Sequence, residues 1–150
     1  MRRALQRHAL RAERRRSTVH EAAVRTELEG LRARLPEVTG ALAATADGLL
    51  LAADAPDVQA EGFAALTAAA LGVGLRLTEG AGQQALRELV VRSETGCVVL
   101  HAAGRDAVLA VIAGPRANVG RLHLEARRSC TRLAELLGAA HAAPEGGGAR

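Results

Sequence analysis

Five histidines, two cysteines and 20 arginines are the side chains of this 150-residue chain that could do chemistry, and there is no lysine. The missing lysine excludes whole reaction classes. A nucleotide-binding loop of the G-x-x-x-x-G-K-[ST] type needs its lysine on the β/γ-phosphates, and protein-kinase, Schiff-base and Ser-Lys chemistry each need one too. His8, His20, His101, His123 and His141 show no H-x-x-x-H or H-E-x-x-H spacing, and along the chain no carboxylate or cysteine stands at ligand spacing to any of them. They read as surface or half-buried histidines without a role. Cys97 and Cys130 form no C-x-x-C and read as small buried hydrophobes of a reducing, cytosolic compartment. There is no G-x-S-x-G, and Ser17, Ser93 and Ser129 have no adjacent histidine, so nucleophilic catalysis has no candidate. Gly80-Ala81-Gly82-Gln83-Gln84-Ala85 matches the letters of a dinucleotide fingerprint. That fingerprint needs a strand before it and a helix after it, whereas here a helix precedes and a strand follows, so it reads as a helix C-cap and loop. No catalytic residue, metal ligand or cofactor is expected.

The arginines are unevenly placed. Residues 1–16 hold Arg2, Arg3, Arg7, Arg11, Arg14, Arg15 and Arg16 against Glu13 alone, a net +6, so residues 17–150, with 13 Arg against 15 acids, carry −2 of the total +4. The basic charge belongs to an arm, not a domain. Such an arm suits phosphates of nucleic acid or an anionic membrane surface. With no aromatic residue interleaved to stack on bases and no reading motif following, specific nucleic-acid binding is not expected, and any membrane contact is peripheral. The N-terminus has charge but no apolar run behind it, and no 18 uncharged apolar residues run together, so neither a signal peptide nor a membrane span is expected.

These residues must be carried on a thin core. Of the 49% hydrophobic residues nearly half are alanine, and Phe63 is the one aromatic. A buried Val or Leu contributes about 1.5–3 kcal/mol, so added area from a second subunit would help.

Residues 1–16 read as a mobile arm or frayed helical extension. Thr18-Val19-His20-Glu21 is a capping box, and Val24, Leu28, Leu31 and Leu35 follow as one apolar stripe until Pro36, predicting a helix over 18–35. Val38 to Thr45 and Leu49 to Ala53 read as two strands joined at Asp47-Gly48. After Asp54-Ala55-Pro56-Asp57 a second helix carries Phe63, Leu66, Ala70, Val73 and Leu77 as its stripe, with Ala and Gly on other faces. Those small residues, Gly72 and Gly74 included, suggest close packing on both sides. Valines then cluster, and turns at Thr95-Gly96 and Gly104-Arg105-Asp106 cut strands of about 85–94, 97–103 and 106–113. A third helix runs from about 116 to 138, and residues 142–150 form a Gly-rich tail expected to be disordered. The fold class is α/β: a three-layer-like sandwich with a five-stranded antiparallel sheet, in the order α-β-β-α-β-β-β-α. Residues 17–141 form its single domain.

Leu35-Pro36-Glu37-Val38-Thr39-Gly40-Ala41, Ala46-Asp47-Gly48-Leu49, the Ala-rich middle helix, three strands and Ala117-Asn118-Val119-Gly120-Arg121-Leu122 together resemble the roadblock (dynein light chain) family, particularly its bacterial members, over about residues 18–138. The resemblance implies a non-enzymatic module without a cofactor or shared catalytic residue. It implies a homodimer that packs the middle helix and pairs the third strand against their copies, and that serves a small Ras-like GTPase as regulator or scaffold. The lysine-free, Ala/Arg/Gly-rich composition suits a branch similar to components encoded beside a sensor kinase and a GTPase. Leu66, Ala69, Val73 and Leu77 on the middle helix, with Leu89, Val90 and Val91 on the third strand, are the expected dimer core, and the chain is expected in the cytoplasm. A different class of reading is a small-molecule-sensing or structural adaptor domain, which needs a pocket with convergent polar groups.

Overall fold

The computed structural model describes residues 2–141, so the tail read at 142–150 lies outside the described residues. The elements follow the expected order: α1 (Arg2–Arg34), β1 (Val38–Thr45), β2 (Leu50–Asp54), α2 (Ala60–Gly80), β3 (Glu88–Ser93), β4 (Gly96–Ala103), β5 (Ala107–Ala113) and α3 (Val119–His141).

Helix α1 does not start at the capping box. Thr18 Oγ1 donates to the Arg14 carbonyl 2.7 Å away, one turn back, because the helix runs on through the arginine block. Its 33 residues make a rod about 50 Å long at 1.5 Å per residue. Only the C-terminal part meets the sheet, where Val24, Leu28, Leu31 and, just past the helix, Leu35 are no more than 2% exposed. That is the stripe read from their spacing.

The hairpin at Asp47-Gly48 forms as expected: Gly48 has φ +97, and Thr45 N–H donates to the Leu49 carbonyl at 2.8 Å. Strand β3 begins three residues later than expected, because Ala85 at φ +34 breaks the extended run before Glu88. Its turn to β4 is Glu94-Thr95, since Ser93 pairs with Gly96, and not the Thr95-Gly96 turn expected. Helix α2 starts at Ala60, later than the proline signal suggests, and α3 is capped by Asn118, whose Oδ1 accepts from the Arg121 N–H at 3.1 Å. At the other end of α2, Gly82 (φ +70) lets its own N–H and that of Gln83 reach the Glu79 and Thr78 carbonyls, closing the helix as a cap and loop.

All five strands join one antiparallel sheet in the order β2-β1-β5-β4-β3, with β5 central and β2 and β3 at the edges. Helices α1 and α3 cover one face and α2 the other, giving two apolar layers. The α2 layer is the smaller of the two, with Ala44, Ala64 and Ala110 buried beside Leu42, Leu71, Leu100 and Val108. Alanines thin the other layer too, where Ala41, Ala43, Ala52, Ala103, Ala107, Ala113 and Ala126 are buried.

Candidate functional site

Helix α2 turns its small side inward. Ala64, Thr67, Leu71 and Gly74 are buried against the sheet, while Leu66, Val73 and Leu77 of the expected stripe are 68%, 58% and 66% exposed. The stripe of large residues is therefore mostly the outer face of the helix, and of it only Phe63 and Ala70 pack on the inner layer. Gly74 explains why the helix can lie so low: a Cβ there would come within 3.1 Å of Leu86. Gly72 has open space around it, so within one chain the close-packing reason holds for only one of the two glycines.

The exposed face continues onto the sheet edge. Strand β3 pairs only with β4, leaving its outer backbone N–H and C=O groups unpaired by strand. Val91, on the α2 side of that strand, is 53% exposed, and Leu89 packs with the α2 layer. Val90 points the other way, into the layer under α1 and α3. Ala69 is exposed beside Leu66 and Val73. The structure thus gathers Leu66, Ala69, Val73, Leu77 and Val91 on one side of the molecule, with Leu89 half-buried beneath and Val90 behind. By length and apolar composition α2 could cross a membrane, although its inner side lies on the sheet.

Arg2, Arg3, Arg7, Arg11, Arg14 and Arg15 are exposed along the free part of α1, and the side chain of Arg16 lies outside the described ones. A chain of polar contacts clasps α1 to α3 farther on. Arg34 Nε donates to Glu125 Oε2 at 2.9 Å, Ser129 Oγ donates to Glu27 Oε1 at 2.9 Å, and Glu125 is only 9% exposed. Arg32 ties the same helix to the end of β2 through Asp54 at 2.7 Å. The open cleft above the clasp, bordered also by Arg128, Thr131 and Arg132, has convergent polar groups, but several of them already partner one another.

One grouping is invisible to spacing along the chain. Glu88 of β3, His101 of β4 and His123 of α3 place one ligand atom each within 4.8 Å of one another, although no linear spacing connects them. His101 is 3% exposed, with Nε2 3.2 Å from His123 Nδ1. Burial, with help from His123 and Arg127 and against the pull of Glu88, lowers its pKa from 6.5 to about 4. His101 therefore stays neutral at physiological pH. The signal that finds this group is hairpin register: a turn at Glu94-Thr95 makes Glu88 the direct neighbour of His101. Cys97 and Cys130 are both buried and unpaired, as expected, and burial pushes the Cys130 thiol up to about 12.

A model of the Roadblock/LC7 domain matches residues 25–113, more than half of the chain. The chain belongs to the Roadblock/LC7 family. Among solved structures, a Roadblock/LC7 domain from Streptomyces avermitilis is similar at 28% identity and TM-score 0.67, covering 76% of this chain and 97% of that one. An MglB described as having a tetrameric arrangement superposes with TM-score 0.74 at 21% identity, over 81% of this chain and 92% of the other. The gliding protein MglB of Thermus thermophilus does so with TM-score 0.72 at 20% identity, over 80% and 92%. At those identities the two MglB structures share the roadblock fold. No match is found among curated proteins.

Proposed function

We propose that this roadblock chain is a non-catalytic homodimer that regulates or scaffolds a small Ras-like GTPase in a bacterial signalling complex. The observation that carries the reading is the outer side of α2, where Leu66, Val73 and Leu77 stand uncovered beside the open edge of β3 and Val91. Each such side chain contributes roughly 1.5–3 kcal/mol when fully covered, and a second copy about a two-fold axis offers it the same apolar face and a strand edge of the same kind. Pairing β3 with its copy would extend the sheet across the dimer and remove an open template for aggregation. The tetrameric arrangement named for an MglB of this fold supports self-association. The GTPase partner rests on the family resemblance, as does the place beside a sensor kinase. In this reading the dimer works in the cytoplasm and reaches the inner membrane face through its partners.

The test is a pull-down with the full chain against each small GTPase of the same cell, loaded with GDP or with a non-hydrolysable GTP analogue. Capture of one GTPase that depends on its nucleotide is the expected result. Binding that ignores every GTPase in both states would overturn the partner, and a small-molecule-sensing or adaptor role would take its place.

A further inference from the structure

We propose that Glu88, His101 and His123 form a binding site for one divalent first-row transition-metal ion, with zinc the natural candidate. The three side chains come from three elements, the edge strand β3, its neighbour β4 and the helix α3 that covers them, and their ligand atoms lie within 4.8 Å. Two imidazole nitrogens 3.2 Å apart already stand at about the 3.3 Å that separates ligands of a tetrahedral zinc with bonds near 2.0–2.1 Å. Glu88 Oε1 stands 3.9 Å from the other nitrogen of His123, Nε2, so the carboxylate would have to turn to become the third ligand.

The carboxylate supplies a second observation. Glu88 Oε2 is buried and has no hydrogen-bond partner, a state that ordinarily costs about 1–3 kcal/mol. A cation between the three groups would satisfy it. The two imidazoles present neutral nitrogen to the ion: the proton now shared between the rings moves to the outer nitrogen of its own ring, so no proton need leave. Two nitrogens and one oxygen favour zinc, cobalt, nickel or copper over calcium and magnesium, which take oxygen sets. Arg127, which acts on His101, opposes a cation here, and Glu88 offsets it. Three protein ligands leave a fourth position for water. Since all three lie within one chain, the site does not depend on dimerisation, and its mechanical effect would be to fasten the edge strand to α3.

The experiment uses tag-free full-length protein stripped with EDTA and titrated with zinc chloride against a chromophoric chelator, then with cobalt followed by its visible absorption. One zinc per chain, cobalt bands of a four- or five-coordinate ion, and a thermal midpoint that rises with zinc are expected. His123→Ala and Glu88→Gln should each weaken binding by more than the about 10–100-fold that outer-shell changes cost. Should His123→Ala misfold by circular dichroism, His123→Gln replaces it, with the same weakening expected. Substoichiometric binding, or full affinity in both variants, would overturn the site and put any bound ion on other histidines.

Discussion

His101 joins burial to charge in the mildly acidic range of pH. In metal-stripped protein the unfolded chain takes up its proton near pH 6.5, while the folded chain resists until about pH 4. The sign follows: stability present above pH 6.5 is lost as pH falls towards 4, by up to about 3 kcal/mol, and then levels off. Urea melts of the wild type and His101→Gln across that range should show the slope in the first and its loss in the second. Parallel slopes would mean that His101 is free to protonate in the folded state. Cys130 gives a second residue-scale prediction. With its thiol held at about 12 and buried, it should react with iodoacetamide at pH 8 orders of magnitude more slowly than a free thiol, and catch up only in denaturant. What the linear sequence hid at this scale was contact across the sheet. Glu88 and His101 are neighbours only because the turn is Glu94-Thr95, and one residue of error in that turn changes every pair along the hairpin.

Among the elements, α1 and α2 differ in how well their patterns reveal their packing. On α1 the large apolar residues Val24, Leu28 and Leu31 alone mark the buried side, so spacing and burial agree. On α2 the buried residues are Ala64, Thr67, Leu71 and Gly74, with Phe63 and Ala70 half-buried beside them, because the helix lies close on the sheet, and Leu66, Val73 and Leu77 mark the outer side instead. Two substitutions separate the two sides. Leu71→Ala should destabilise the fold by about 2–5 kcal/mol in chemical denaturation of the chain. Leu66→Ala should leave the fold of the single chain nearly unchanged while weakening self-association, read by dilution. The free part of α1 is the element whose boundary the capping box concealed: Thr18 and Glu21 fit a helix start, yet the hydroxyl bonds backward to Arg14. Deleting residues 1–16 should keep the melting midpoint of the domain within a few degrees and abolish any salt-sensitive binding to anionic vesicles. Vesicle binding that survives the deletion would clear the arginines of that role.

At the scale of the whole molecule, the five-stranded antiparallel sheet, the chain order of its elements and the family were legible from turn signals and a few short strings, whereas the strand order β2-β1-β5-β4-β3 and the placing of one helix against two were not, since they depend on long-range pairing. The homodimer expected from the family resemblance is a matter of two chains, and a single chain carries only the face proposed for it. What one chain does show is an imbalance: the α1 and α3 face is sealed by large buried leucines, whereas the α2 face is thin inside and apolar outside. The proposed homodimer across α2 and β3 would resolve that imbalance and would offer the proposed GTPase one continuous sheet to read. Multi-angle light scattering on the wild type and Ala69→Glu tests this most directly. The account predicts a wild-type mass of twice the 15.5 kDa of one chain, or a higher even multiple, and monomer or aggregate for Ala69→Glu. A wild-type monomer, or an intact, soluble Ala69→Glu dimer, would contradict it.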